Sequence, residues 1–188
     1  LMEAVLERGK GAAGVRLVQD AFNPSTIALY TSVGFDVKEP LQLLQGTPRS
    51  KPAAGFTVRP LTNEDLDECA ALCRRVLGFD RKNELRDAPR VSAPFVVERD
   101  GRLTGYLSAA TFWVANHGVA ETEEDMRALL MGTGAASSDP LSFLLPVRQS
   151  SLFRWCLDEG MRVVKPMTLM AMGEYRKPAG AYFPSVFY

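Results

Sequence analysis

An internal repeat constrains the fold of this chain more than any other feature of its sequence. When the sequence is shifted by 126 positions, NPSTIALYTSVGFDVKEPLQL aligns with QSSLFRWCLDEGMRVVKPMTL. Gly34 then falls on Gly160 and Pro40 on Pro166, and several apolar residues fall on residues of similar volume. This agreement predicts two copies of one folding unit, although any two helix–glycine–strand units share part of such a pattern.

The two predicted copies differ in length. Under the 126-residue shift the second copy runs from Phe56 to Tyr188, whereas the first begins where Leu1 meets Arg127. The segment GTPRSKPAAG between the copies holds two Gly and two Pro and no large apolar side chain, which is typical of a connector. The sequence therefore predicts the C-terminal half of a first domain at 1–46, a linker at 47–55 and a second domain at 56–188. It also predicts that the chain is part of a longer tandem-domain protein.

Apolar spacing and turn residues predict alternating strands and helices in both parts. The helix after Asn23 has a capping residue, a proline at its first position and a left-handed stop at Gly34. Asp100-Gly101 predicts a tight hairpin whose second strand continues through FWVA, and a Gly-, Ala- and Ser-rich loop is expected after a helix at 121–131. The fold class expected is α+β with α/β/α layers, in which helices flank a mixed, mostly antiparallel sheet.

Charge and hydropathy argue against polyanionic and membrane partners. The 22 Lys+Arg balance the 22 Asp+Glu and the pI is 6.8, so no excess of cations favours nucleic acid or an anionic membrane surface. No stretch approaches the ~20 apolar residues that a membrane-spanning helix needs. We therefore expect a protein that binds neither nucleic acid nor membrane.

The cysteines and the single histidine argue against a metal site. Cys69, Cys73 and Cys156 have neither disulfide nor zinc-knuckle spacing, and all three are expected in the core. This usage fits a reducing cytoplasm. His117 alone cannot form a multi-histidine site, and it is interpreted either as an ordinary turn residue or as a base or substrate contact. No metal cofactor is expected.

The segment N-P-S-T-I-A-L-Y-T-S-V-G-F at 23–35, which lies between two predicted strands, resembles the acetyl-CoA half-site of the GNAT superfamily of acyl-CoA N-acyltransferases. The order of elements in 56–188 is similar to the same fold. The resemblance implies that Asn23, at the helix start, contacts the arm of acetyl-CoA together with Ser25, and that Tyr30 lies near the thioester sulfur as the catalytic residue. Taken singly, Asn23 is also explained as a helix cap and Tyr30 as a packed aromatic residue.

The implied chemistry is direct transfer of an acetyl group from acetyl-CoA to an amine. A hydroxyl beside the sulfur can donate a proton to the departing thiolate, which is the role that the resemblance gives to Tyr30. The general base that takes the proton of the amine is unassigned in 1–46. The expected acceptor is a small-molecule or peptide amine, and nothing in the sequence selects among amines.

The second copy departs from the family pattern. Its helix that would bind the pyrophosphate of CoA begins near ETEEDM, where acidic side chains would satisfy the helix terminus and repel an anion. The repeat places Gln149 opposite Asn23 and Cys156 opposite Tyr30, so both motif residues are replaced. Residues 56–188 are therefore interpreted as a degenerate domain that binds no CoA.

Two functional hypotheses follow. The first is an N-acetyltransferase of the GNAT type whose second domain shapes the acceptor cleft. The second is a non-catalytic interaction or ligand-binding module that keeps the fold without the chemistry. The terminal segment AYFPSVFY, with Tyr182 and Phe183, is expected to form an exposed strand that either pairs with a partner copy in a homodimer or closes the missing sheet of the first unit.

Overall fold

Two sheets and six α-helices form the part of the chain that the computed structural model describes, which is residues 2–90 and 92–187. The helices are α1 (Met2–Arg8), α2 (Pro24–Ser32), α3 (Leu66–Leu77), α4 (Lys82–Asp87), α5 (Glu123–Ala136) and α6 (Ser150–Asp158). The strands are β1 (Gly14–Asp20), β2 (Asp36–Gly46), β3 (Phe56–Pro60), β4 (Phe95–Arg99), β5 (Arg102–Leu107), β6 (Gly118–Ala120), β7 (Leu141–Pro146), β8 (Arg162–Gly173) and β9 (Ala181–Phe183). Short 3₁₀ turns precede α3 and follow α4.

The strands form a four-stranded sheet in the order β1-β8-β2-β7 and a five-stranded sheet in the order β3-β4-β5-β6-β9. All strand pairs among the described residues are antiparallel. One face of the five-stranded sheet packs against α3 and the other against α5, each through a cluster of buried apolar side chains. The predicted α+β class with helices on both faces of a mostly antiparallel sheet is confirmed.

Strand β2 occupies an unexpected place, because it precedes the connector yet lies between β7 and β8, which follow it. Leu41 and Leu44 of β2 have no exposed surface. Burying a leucine fully contributes about 1.5–3 kcal/mol, so these side chains stabilise the whole sheet. The connector itself is held in place by Glu159, whose carboxylate accepts hydrogen bonds from the Arg49 and Ser50 amides at 2.8 Å.

The outer ladders of the four-stranded sheet have the same register under the 126-residue shift. Val15 of β1 faces Met172 of β8. Moving Val15 forward and Met172 back by 126 positions gives Leu141 and Gly46, which face each other in the β7–β2 ladder. The sequence offset is therefore also the offset of the hydrogen-bonded pairs.

The central β2–β8 ladder lies on an approximate two-fold axis. Leu41 pairs with Met167, and Met167 is also the residue onto which the 126-residue shift moves Leu41. This ladder has two irregularities, one between Val37 and Glu39 and one between Leu43 and Leu44. Moving the paired residues of either irregularity by 126 positions, forward in β2 and back in β8, gives the other. The 126-residue shift therefore relates the positions of the β-bulges as well as those of the paired residues.

Helices α2 and α6 also end in the same way. Each has nine residues. The amide of Phe35 donates to the Tyr30 carbonyl at 3.0 Å, and the equivalent amide of Met161 donates to the Cys156 carbonyl at 3.0 Å. A glycine precedes the donating residue in each case, with a φ of 102° at Gly34 and 88° at Gly160. A residue without a Cβ adopts such a positive φ at little cost.

The predicted long strand after the Asp100-Gly101 hairpin is wrong, because β5 ends at Leu107. Between β5 and β6 the backbone turns back on itself, and polar side chains satisfy its peptide groups. Ser108 Oγ accepts from the His117 amide at 2.8 Å, and Asn116 Nδ2 donates to the Ser142 carbonyl at 2.9 Å.

Two further expectations are corrected. Helix α5 continues to Ala136 through the predicted loop, because Gly132 packs so closely on Val58 that an added Cβ would lie 2.4 Å from the Val58 Cβ. The terminal segment is not an exposed strand at Tyr182 and Phe183. These side chains are 2% and 0% exposed, and β9 pairs with β6 of the same chain.

The placement of β2 predicts a sharp difference between two substitutions in this strand. Leu41→Ala removes a buried side chain at the two-fold axis and should lower the free energy of unfolding by about 2–5 kcal/mol. Val37→Ala, at a position that is 53% exposed, should change it by less than about 0.5 kcal/mol. Urea denaturation followed by tryptophan fluorescence measures both, and equal effects would contradict a central role for β2.

Candidate functional site

Helix α2 carries the three residues that the motif predicts, and they are accessible. Asn23 is the N-cap, and its Oδ1 accepts a hydrogen bond from the Thr26 amide at 3.2 Å. Asn23 and Ser25 are exposed, and no residue of α2 is buried. The amide group of Asn23 keeps its nitrogen free to donate while its oxygen caps the helix.

Tyr30 lies on α2 seven residues beyond Asn23. This spacing puts the two on the same side of the helix, about 10 Å apart along its axis. The Tyr30 ring is half-buried against Phe35, with ring centroids 6.1 Å apart in an edge-on arrangement, and its hydroxyl has no hydrogen-bond partner among the described residues. Ser25 lies about 140° around the helix from Tyr30, so the structure does not bring Ser25 to the same face.

The equivalent position on α6 makes different contacts. The side chain of Gln149, which corresponds to Asn23, donates from Nε2 to the Tyr182 carbonyl at 2.6 Å and accepts at Oε1 from the Tyr182 amide at 3.0 Å. Gln149 thus forms hydrogen bonds with both the amide and the carbonyl of Tyr182, which point away from β6. Strand β9 therefore lies between β6 on one side and Gln149 on the other, and Phe183 stacks on Phe143 of β7 with centroids 4.7 Å apart.

A buried carboxylate completes the packing around β9. Glu39 of β2 is 4% exposed and accepts hydrogen bonds from Arg148 Nε at 2.8 Å and from the Tyr182 hydroxyl at 3.1 Å. The Tyr175 hydroxyl donates to the same carboxylate. Burial and the bond to Glu39 raise the pKa of Tyr175 to about 12, and burial raises that of Tyr182 further, so both stay protonated donors.

The N-terminus of α5 is satisfied by its own side chains. Thr122 and Asp125 form a capping box, in which the Asp125 amide donates to Thr122 Oγ1 at 3.1 Å and the Thr122 amide donates to Asp125 at 3.1 Å. Glu121 bonds Arg102 and Arg75, and the bond from Arg102 is the chief cause that lowers the pKa of Glu121 to about 2. The start of α5 is thus capped by its own side chains, and the charge of Glu121 is compensated by neighbouring arginines.

A cavity of about 490 Å³ opens between the face of the four-stranded sheet and the turn that joins α3 to α4. It is assembled from five distant parts of the chain: 13–18 in and beside β1, 77–84 from the end of α3 to the first turn of α4, His117 before β6, Leu169 of β8, and 174–186 around β9. A smaller cavity of about 320 Å³ shares Arg81, Glu84 and His117 with it. These three side chains form the wall between the two cavities.

His117 is the polar residue deepest in this wall. It is 4% exposed, its ring lies 5.8 Å from that of Tyr106, and its Nε2 is 4.0 Å from Cys73 Sγ. Its Nδ1 has no hydrogen-bond partner among the described residues. Burial, with Arg81 and Arg16 nearby, holds the pKa of His117 well below its ordinary value, so the ring is neutral at neutral pH.

Sequence reasoning missed this cavity. The sequence offers one signal for it, the single histidine in WVANHGVA, which the pattern alone explains equally as a turn residue or as a base or substrate contact. The other lining residues belong to segments that carry no motif, and only the fold brings them together.

The cysteines do not contribute a reactive site. Cys69, Cys73 and Cys156 are free and buried. Burial raises the pKa of Cys156 to about 12, so it is a packed thiol where the repeat places the counterpart of Tyr30. Among the described residues no group of three or more His, Cys, Asp or Glu is arranged to hold a metal ion. None of the helices in residues 2–90 and 92–187 is long and apolar enough to span a bilayer.

Several solved structures with the same fold are described as acetyltransferases. A candidate acetyltransferase from Pyrococcus horikoshii superposes with a TM-score of 0.76 at 14% identity, over 98% of this chain and 63% of that one. GCN5-related N-acetyltransferases from Kribbella flavida and Sphaerobacter thermophilus give TM-scores of 0.58 and 0.54 at 13% and 12% identity. The alignment with the Kribbella protein covers 91% of this chain and 73% of that protein. The alignment with the Sphaerobacter protein covers 94% of this chain and 65% of that protein.

These likenesses establish that the chain has the GNAT fold. The chain spans 63% of the length of the Pyrococcus protein. No family model matches the sequence, and no curated protein matches it.

The clamp that Gln149 forms on β9 yields a test. Gln149→Ala leaves the amide and carbonyl of Tyr182 without these partners, which should lower the free energy of unfolding by about 1–3 kcal/mol. It should also increase hydrogen exchange at the Tyr182 amide. Ser150→Ala, at the exposed neighbouring position, is the control. If the Tyr182 amide exchanges at the same rate in both variants, Gln149 does not hold β9.

Proposed function

We propose that this protein is an N-acyltransferase of the GNAT type, which transfers an acetyl group from acetyl-CoA to an amine, and that acetyl-CoA binds at α2. Residues 1–46 and 56–188 are, in this proposal, copies of one unit, of which the second has lost the cofactor. The observation that carries the proposal is the contrast between Asn23, exposed on α2, and Gln149, which is engaged by the backbone of β9.

Three findings support binding at α2 rather than α6. The motif that resembles the acetyl-CoA half-site is complete at Asn23 and Tyr30, while Gln149 and Cys156 replace it at α6. The amide of Gln149, which would hold the arm of the cofactor, already makes two hydrogen bonds to a peptide group. The capping box at the start of α5 occupies backbone amides with its own side chains, which leaves fewer donors for a pyrophosphate.

The residues of α2 suit the proposed chemistry. Asn23 Nδ2 can donate to a carbonyl of the cofactor arm, since Oδ1 is the atom that caps the helix. The Tyr30 hydroxyl is unpartnered among the described residues and can donate its proton to sulfur. In the transfer, the amine nitrogen bonds to the acetyl carbon, the carbon–sulfur bond breaks, and the thiolate takes the Tyr30 proton. The amine loses its own proton to solvent, and the Tyr30 phenolate regains a proton from solvent, which restores the hydroxyl.

The alternative is a ligand-binding module that keeps the fold without catalysis. It is favoured by one observation, namely that Asn23 already serves a structural role as the cap of α2. The two functions differ in whether acetyl-CoA binds and whether its thioester is consumed.

Calorimetric titration of acetyl-CoA tests the proposal. The unmodified chain should bind in the micromolar range, and Asn23→Ala should weaken binding about tenfold through loss of one hydrogen bond to a polar ligand. Tyr30→Phe should leave the affinity unchanged but lower the rate of thiol release with amine acceptors about a hundredfold. Ser32→Ala, in the exposed last turn of α2, is the matched control.

The outcomes separate the two hypotheses. Binding without thiol release in the presence of a broad panel of amines would favour the non-catalytic module. Absence of heat at millimolar acetyl-CoA would contradict binding of the cofactor by this chain. Binding that Asn23→Ala does not weaken would place the cofactor away from α2.

A further inference from the structure

We propose that the 490 Å³ cavity beside β1 is a binding site for a small carboxylate with an apolar body, whose charge is held by Arg16 and Arg176. The inference concerns binding alone and goes beyond the proposed acyl transfer. It is tested without acetyl-CoA, so its failure and that of the transferase proposal are distinguishable.

The cationic side chains of the cavity fall into two groups. Arg81 is ion-paired with Glu84. Arg16 and Arg176 form no ion pair with any residue in the described part of the chain. Of the acidic lining residues, Asp80 is paired with Arg74. Glu174 is exposed and forms no ion pair within the described part of the chain. A carboxylate is therefore the charge that this lining lacks.

Arg16 lies against two aromatic rings. Its guanidinium lies 4.9 Å from the ring centroid of Phe79 and 5.1 Å from that of Tyr175. Aromatic contacts cover the faces of a guanidinium and leave the N–H groups on its edge free to donate, which is the geometry that a carboxylate binds in a bidentate manner. Arg176 lies against Gly78, where an added Cβ would be 2.9 Å from its Nη1.

His117 lies at the inner wall of the cavity and is 4% exposed. Its Nδ1 is enclosed by protein atoms and has no partner among the described residues. Because the residue borders the space that a ligand would occupy, its ring reports on binding there.

The remaining lining and the size of the cavity define the body of the ligand. The lining also includes apolar residues from β1, the end of α3, β8 and the terminal segment, namely Leu17, Val18, Leu77, Leu169, Pro184 and Val186. A volume of about 490 Å³ is within the range of small-molecule sites. The ligand class is thus a monocarboxylate with an apolar group of about the size of an aromatic amino acid.

The test uses 3-phenylpropanoate as the probe and 3-phenylpropanamide as its uncharged analogue. Because the untagged chain contains one histidine, the imidazole proton resonances in NMR spectra report on His117 alone. The carboxylate should shift these resonances with a millimolar or lower Kd that rises with salt, and the amide should bind at least tenfold more weakly.

Substitutions test whether Arg16 and Arg176 bind the carboxylate. Arg16→Gln and Arg176→Gln should each weaken the carboxylate about tenfold, and Arg16→Lys should retain part of the affinity because it keeps the charge. Arg154→Gln, at an exposed arginine of α6 outside the cavity lining, should have no effect. The proposal is overturned if carboxylate and amide bind equally, if neither moves the His117 resonances, or if Arg154→Gln weakens binding as much as Arg16→Gln.

Discussion

The placement of β2 between β7 and β8 is the constraint on which the rest of this structure depends. Through it, residues on both sides of the connector contribute to one sheet, and neither part has a complete set of strand neighbours without the other. The pairs and the bulges obey a 126-residue repeat about the Leu41–Met167 contact. The apolar side chains at this contact are buried, so hydrophobic stabilisation and symmetry coincide at the same place.

Function, in this account, comes from departures from that symmetry. Both helices that follow the outer strands start and end with equivalent backbone bonds, but the residue at the helix start differs. Asn23 faces solvent, whereas Gln149 is used to hold the terminal strand against β7. The two halves therefore differ at this position, where an exposed side chain on α2 corresponds to a packing contact on α6. The segment after β9, which with β1 and the α3–α4 turn encloses the large cavity, is held by hydrogen bonds from Arg81 to Ser185 and to the Phe187 carbonyl.

The local elements could be predicted from the sequence, because capping residues, glycine stops and apolar spacing act within a few residues. Asn23, Gly34 and the Asp100-Gly101 hairpin are examples. The expected α+β class followed from their order. The insertion of β2 could not be predicted, since strand partners far apart in sequence are selected by packing that no local pattern encodes. The early end of β5 depends on Asn116 and Ser108 satisfying the backbone, and α5 is extended by a glycine contact with Val58.

Native-state hydrogen exchange tests the central claim, which is that β2 joins both parts into one cooperative unit. The account predicts that the most protected amides of β1, β2, β7 and β8 exchange with the same opening free energy, equal to that of global unfolding. It also predicts the same denaturant dependence for all four strands. If the amides of β1 and β2 open at a free energy several kcal/mol lower while β7 and β8 remain protected, the two parts are separate units and the account is wrong.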